Sequence, residues 1–372
     1  MTALGIAIAA VTVLTVVIAF FLHKQHKFPL YGWLGVGLLA AAYVLLFRGV
    51  WVVAVYFTPI AWTADLLIVD AAVLAISGRS RLHDAPGRFV LTALLSIPLW
   101  LIFEAYNLRL QNWTYVGLPK NEAAALLGYG WSFATITPGI FEAADLVESF
   151  GWFKPARPVR FSVTAQSWMV VIGAACLVVP VVIPARVGAY LFGLVWAGFV
   201  LLLDPINRRL ELASLLGDLV EGRRSRLYSL LASGWICGWL WESWNYWSAA
   251  KWHYTFPMFQ NIKIFEMPAP GFLGFLPFAL ECFTMYVTAD WLVKTGWRRT
   301  SGNHVNDLSV QNRSMDVRFI PSHPTIAELE KMAQDCEERA KNAFETEAAA
   351  LREEAERYRK WARGLRMGPW IS

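Results

Sequence analysis

The sequence predicts an all-α polytopic membrane protein with about nine transmembrane helices: one helix, then two parallel four-helix repeats, then a cytoplasmic helical hairpin. Three observations carry this. Of 372 residues, 56% are apolar and 16% charged, where a soluble chain carries about a quarter charged residues. Apolar segments fall at roughly 3–22, 30–47, 51–76, 89–107, 126–149, 162–183, 187–206, 227–247 and 272–293, and several approach the ~20 residues that cross a bilayer. Finally, a set of uncommon residues occurs twice in the same order, at an offset of 134 to 139.

The first segment, within 1–29, has no Lys or Arg before it and is followed by His23-Lys24-Gln25-His26-Lys27. A secretory signal has the opposite polarity, so a transmembrane helix with its N-terminus outside is expected. Segments 30–47 and 51–76 are separated by only a few residues, and a merged element there would change the parity of the whole chain. If all nine segments alternate, one set of connections holds sixteen Lys and Arg residues, from Lys24 to Arg299, and the other set only six. Positive residues mark the cytoplasmic side. The bias predicts an integral membrane protein, of a bacterial inner membrane, with its C-terminus in the cytoplasm.

Four landmarks define the repeats, expected over 30–160 and 161–299. Trp62 and Asp70 match Trp196 and Asp204. Glu104 and Asn107 match Glu242 and Asn245. Trp113-Thr-Tyr115 matches Trp252-His-Tyr254, and Pro138 with Glu142 matches Pro277 with Glu281. Asp204-Pro-Ile-Asn-Arg208-Arg209 reads as a helix end with local arginine pairing. After Trp297 the composition turns polar, which predicts a linker over 300–322. Over 323–366, Thr325-Ile-Ala-Glu328 reads as a capping box, and Ala333, Cys336, Ala340 and then Ala348, Leu351, Ala355, Tyr358 follow a three-four spacing. A hairpin broken near Phe344–Glu347 is expected, its apolar seam serving self-packing, a homo-oligomer or a protein partner.

Four carboxylates in apolar surroundings are the candidate chemistry. Glu104 and Glu242 sit near the outer ends of the third helices, each sharing a face with an asparagine three residues on, Asn107 or Asn245. Glu142 and Glu281 lie in the fourth helices. An acid in lipid is costly and marks a functional site by default. Trp235, Trp239, Trp241, Trp244 and Trp247 crowd around Glu242, more aromatics than an interfacial belt needs. A buried carboxyl can act as a general acid, and electron-rich rings stabilise a cation. The same acids could instead relay protons in a transporter, or hydrogen-bond across helices to hold the bundle. The four cysteines and six histidines lack metal or disulfide spacing, and no phosphate-binding glycine loop or nucleophile elbow is present. No metal, cofactor or nucleic acid is expected; the partner is a membrane lipid or isoprenoid.

Phe103-Glu104 … Trp113-Thr-Tyr115 … Pro138-Gly-Ile-Phe-Glu142, and Trp241-Glu242 … Trp252-His-Tyr254 … Pro277-Phe-Ala-Leu-Glu281, resemble the integral-membrane, cofactor-free lycopene cyclases. Those have an acid, a Trp-x-Tyr loop and a Pro-Leu-Glu-Glu helix in succession. The resemblance spans about 60 residues of each repeat and departs from the family in lacking the paired Glu-Glu. It implies acid-catalysed cyclisation of a polyene end group. Glu142 and Glu281 would donate the proton, Glu104 and Glu242 would assist, and Asn107, Asn245, Trp113, Tyr115, Trp241, Trp252 and Tyr254 would contact substrate. Two other readings stay open, a transporter or lipid-handling protein and a non-catalytic scaffold acting through the hairpin.

Overall fold

The structure, a computed structural model, describes residues 1–300 with side chains to 295, residues 326–341, and scattered positions between 348 and 359. The chain divides into two units, Met1–Ile320 and Pro321–Ser372. In the first, the helices are α1 (Thr2–His23), α2 (Leu30–Phe47), α3 (Trp51–Val55), α4 (Phe57–Ser77), α5 (Arg81–Asp84), α6 (Pro86–Leu110), α7 (Glu122–Ser149), α8 (Val163–Val182), α9 (Ala185–Gly188), α10 (Phe192–Arg209), α11 (Leu215–Val220), α12 (Ser225–Trp247) and α13 (Phe275–Thr300). Four short strands, β1 (Trp113–Val116), β2 (Lys251–Tyr254), β3 (Lys263–Ile264) and β4 (Met267–Pro268), lie in the connections.

Among the described residues, seven stretches are long and apolar enough to cross a membrane: α1, α2, α4, α6, α8, α9 through α10, and the segment Ala269–Thr295 that contains most of α13. Their outward faces are apolar. Leu14, Phe21 and Leu22 of α1, Leu30 and Trp33 of α2, Leu94 of α6 and Trp168 of α8 are exposed, a continuous apolar exterior that water would not tolerate and lipid would. The protein is a helical membrane protein. Two further long helices, α7 and α12, are not among the seven; α7 carries Glu142, Asp145 and Glu148, and α12 carries Arg226 and Glu242. They are interior. α7 packs on α4, α6 and α12, and α12 packs on α13 as well. Every residue of α7 from Thr135 to Ser149 is buried.

The connections gather alternately at two ends. At one, β1 pairs with β2, Ala249 N donates to Ala54 O, and Asn112 Nδ2 donates to Ala189 O. At the other, His26 N donates to Ala75 O, Ala156 N to Gly222 O, and Arg81 pairs with Asp145. These are called the strand end and the basic end. α2 and α4 are separate helices, turned by Gly49 at φ 75° and packed side by side, so no merged element exists there. Close approach of α12 to α13 depends on small residues: a Cβ at Gly234 would stand 2.2 Å from Phe275 O, and one at Gly238 2.4 Å from the Phe275 ring.

At the basic end two aspartates hold the turns that follow their helices. Asp204 accepts from Leu215 N and Leu216 N at 2.7 and 2.8 Å, meeting two of the free amides that open α11. The arginine pairing expected there is absent among the described bonds; Arg209 donates to Ser167 instead. Asp70 does the equivalent work, accepting from Leu82 N, Ser80 Oγ and Tyr31 OH.

In the second unit α14 (Ile326–Lys341) buries Ala333 and Cys336 with Ala355 and Tyr358, and Ala340 with Ala348 and Leu351. The order is antiparallel, and Arg359 pairs with Glu337 at 2.6 Å. The apolar seam is used within the unit. The capping threonine Thr325 and the break at Phe344–Glu347 lie outside the described residues.

Candidate functional site: an aromatic cavity at the strand end

The strand end is organised by two asparagines. One turn before the end of α6, Asn107 accepts from Trp113 N at 3.1 Å and donates to Trp113 O at 2.8 Å. Near the end of α12, Asn245 accepts from Trp252 N and donates to Trp252 O, both at 2.9 Å. A side-chain amide carries one acceptor and two donors, so it can satisfy both polar groups of a single residue's backbone. Each clamp fixes a tryptophan at the start of its Trp-x-Tyr segment. The two segments then pair antiparallel, Trp113 opposite Tyr254 and Tyr115 opposite Trp252.

The pairing brings the aromatic tips back to a carboxylate. Glu104 Oε1 accepts from Trp100 Nε1 at 2.8 Å, Trp113 Nε1 at 3.3 Å and Tyr115 OH at 2.5 Å. Glu242 Oε1 accepts from Trp252 Nε1 at 3.3 Å and Tyr254 OH at 2.8 Å. The arrangements correspond bond for bond except for Trp100, whose counterpart at the repeat offset is Gly238. Phe275 fills the space there. Glu104 is half-buried, whereas Glu242 is fully buried and its Oε2 has no hydrogen-bond partner. Burial, then the Glu242 carboxylate, push the Tyr254 hydroxyl well above its ordinary value of 10.0.

In front of these groups lies a cavity of about 120 Å³. Thirteen of the 24 residues in its wall are aromatic. Trp62 of α4 brings 30–160 and 161–299 together, while Trp196 of α10 packs within the second. The Trp62 ring centroid lies 4.8 Å from Trp241 and 4.9 Å from Trp244, and Trp196 lies 5.2 Å from Phe278. The one charged wall residue is Lys251, held at the strand end by Glu266 at 3.3 Å and by Tyr246 O at 2.7 Å.

Of the residues expected to contact substrate, Trp113, Tyr115, Trp241, Trp252 and Tyr254 line the cavity. Asn107 and Asn245 stand behind them as clamps. Glu104 and Glu242 are one hydrogen bond behind the wall. Glu142 and Glu281 are not in the wall. Glu281 lies three residues past wall residue Phe278, about 4.5 Å along the helix, and its Oε1 accepts from Phe199 N at 3.3 Å. Glu142 lies six residues past wall residue Ile136, about 9 Å along, among Asp70, Asp145 and Arg81. Trp62, Trp196, Trp100, Tyr129, Phe133 and Phe278 also line the wall and were not expected there. The signal for the first two was present, since Trp62 and Trp196 keep the same spacing to Asp70 and Asp204. Among the described residues no three His, Cys, Asp or Glu are placed to hold a metal ion.

No family model, no curated protein and no solved structure matches the chain.

Proposed function

We propose that the chain is a membrane-embedded enzyme acting on an isoprenoid by acid-catalysed cyclisation, without a redox cofactor, and that Glu242 supplies the proton. The observation that carries this reading is the fully buried Glu242, with one unpartnered oxygen, placed directly behind a cavity walled by aromatic rings. A carboxyl group with an unmet buried oxygen is far less costly as the neutral acid than as the anion, and only the acid can protonate an alkene. Glu104 accepts from three donors through one oxygen; it is assigned to assist as base or counter-ion.

The chemistry is an isomerisation. A proton passes from Glu242, bridged by the Tyr254 hydroxyl, to one carbon of a terminal double bond. The new C–H bond consumes that π pair and leaves a carbocation. A second double bond of the same chain attacks it, forming the ring C–C bond. The ring faces of Trp62, Trp241 and Trp252 stabilise the positive charge. Loss of a neighbouring proton restores one double bond and returns the proton to a carboxylate, so no electrons are exchanged.

The matched clamps, acid–tyrosine pairs and aspartate caps support descent of 30–160 and 161–299 from one four-helix unit, in parallel orientation. With α7 and α12 crossing inside a ring of more apolar helices, the spans number nine. The lysine and arginine bias supports the basic end facing the cytoplasm of a bacterial inner membrane and the strand end facing outward. A second reading, lipid handling or transport, is favoured by one observation, the row of acids on α7 that does not touch the cavity.

The reading is tested in cells that accumulate an acyclic polyene such as lycopene. Extracts from cells with the wild-type chain should contain a cyclised isomer of unchanged mass, and Glu242→Gln should reduce it at least about 100-fold. Unchanged extracts with wild type, or equal conversion by Glu242→Gln, would remove the reading.

A further inference from the structure

Away from the cavity, α7 carries a second constellation. Glu142, Asp145 and Glu148 follow one another at three-residue spacing, rising about 4.5 Å per step toward the basic end, and all three are buried. Around them stand Tyr31 from α2, Asp70 from α4, Arg81 from α5, Asp218 from α11, Arg226 from α12 and Tyr286 from α13. Three of the five acids in this group have their charge met. Asp145 is bound by Arg81 through two bonds, at 2.6 and 3.0 Å. Asp218 is bound by Arg223 and Arg226, each at 2.8 Å. Asp70 accepts from a backbone amide and two hydroxyls. The two glutamates differ. Neither oxygen of Glu142 has a donor, although the Asp70 carboxyl stands within hydrogen-bonding reach, and Glu148 Oε2 has none.

An ionised carboxylate removed from water without a donor is penalised much more than the neutral acid. Arg81 engages Asp145, Arg226 engages Asp218, and Arg223 engages Asp218 and Glu221, while the two glutamates keep oxygens without a hydrogen-bond donor. We propose that Glu142 and Glu148 each hold an exchangeable proton and that, with Asp145 between them, they form a proton path from the basic end into the membrane interior. Glu148 is the entry, one residue from the end of α7. Glu142 is the terminus. One turn beyond it, Gly139 meets the back of Trp62, where a Cβ would stand 2.8 Å from the ring, and Trp62 is a wall of the cavity. The path thus ends one turn from the cavity. It stands whether or not the ligand is a polyene.

Infrared difference spectroscopy on the full chain in lipid nanodiscs at neutral pH tests this. Wild type minus Glu142→Gln, and wild type minus Glu148→Gln, should each show loss of one protonated-carboxyl carbonyl band per chain, and each band should shift in D₂O. The Glu148 band should exchange first, and Asp145→Asn should slow exchange at Glu142. Loss of an ionised-carboxylate band in its place would overturn the proposal, as would disappearance of the carbonyl bands on adding sodium, which would make this a metal-cation site. Glu142→Gln replaces a neutral acid by a neutral amide of the same shape, so a fully folded variant is expected. Failure of that variant to fold, with Asp145→Asn folded, would also contradict the assignment.

Discussion

Trp113 stands opposite Tyr254 in the strand pair that joins the two Trp-x-Tyr loops, and Tyr115 stands opposite Trp252. The consequence is structural before it is chemical. Each loop presents its rings to the carboxylate of its own helix, Glu104 or Glu242, while its backbone is hydrogen-bonded to the other loop. Neither acid site can be positioned without its counterpart.

The asparagine clamps should therefore control more than local order. Asn107→Ala and Asn245→Ala each leave a tryptophan's N–H and C=O without their side-chain partner. Losses of roughly 2–3 kcal/mol are expected, measured by thermal unfolding in detergent, with the larger loss at Asn245, which is fully buried. Equal stability of both variants with wild type would show that the clamps are incidental.

Gly117 closes the first strand at φ 68°, and a Cβ there would lie 2.0 Å from Ala249 O. Both the conformation and the contact forbid a side chain. Gly117→Ala is expected to cost more than about 1 kcal/mol and to weaken binding of an apolar fluorophore in the cavity. A variant that binds and unfolds like wild type would show that the strand pair does not shape the cavity.

The tyrosine hydroxyl behind the wall gives a pH signature. Burial and then Glu242 raise the Tyr254 hydroxyl well above 10.0. Because the folded state keeps its proton where the unfolded chain has lost it, the stabilisation is complete below about pH 10 and is lost as the pH climbs past that value toward the folded-state one. Phenolate absorbance should appear later in wild type than in urea-unfolded chain, and Glu242→Gln should bring the Tyr254 transition back toward the ordinary value. Titration of Tyr254 at the ordinary value in wild type would place the hydroxyl in water.

Much of this was legible in the sequence, and the rest had physical reasons to stay hidden. Composition and apolar runs gave the helices, including α2 and α4 as separate elements. The repeat offset located Asn107, Asn245 and both Trp-x-Tyr segments. What pattern could not give was the partner of each segment: a four-residue strand between helices has no period long enough to read, and its partner lies 138 residues away in the sequence. Asp204 was misread because Arg208 and Arg209 follow it on the same helix. The free amides of Leu215 and Leu216 at the start of α11, eleven and twelve residues on, bind it instead. Glu142 and Glu281 look equivalent in sequence, yet only Glu281 finds a backbone donor, in Phe199. Asp145, which Arg81 engages beside Glu142, has Thr284 at the matching position. The acids toward the basic end therefore belong to different surroundings.

The central claim is that a proton from this protein initiates ring closure in the aromatic cavity. It is tested most directly by running the reaction in D₂O with purified protein and an acyclic polyene, and counting deuterium in the product. Protonation of a double bond from exchangeable Glu242 predicts one solvent deuterium per new ring, and essentially no product with Glu242→Gln. Cyclised product without deuterium, or no cyclised product from the wild-type protein, would contradict the account.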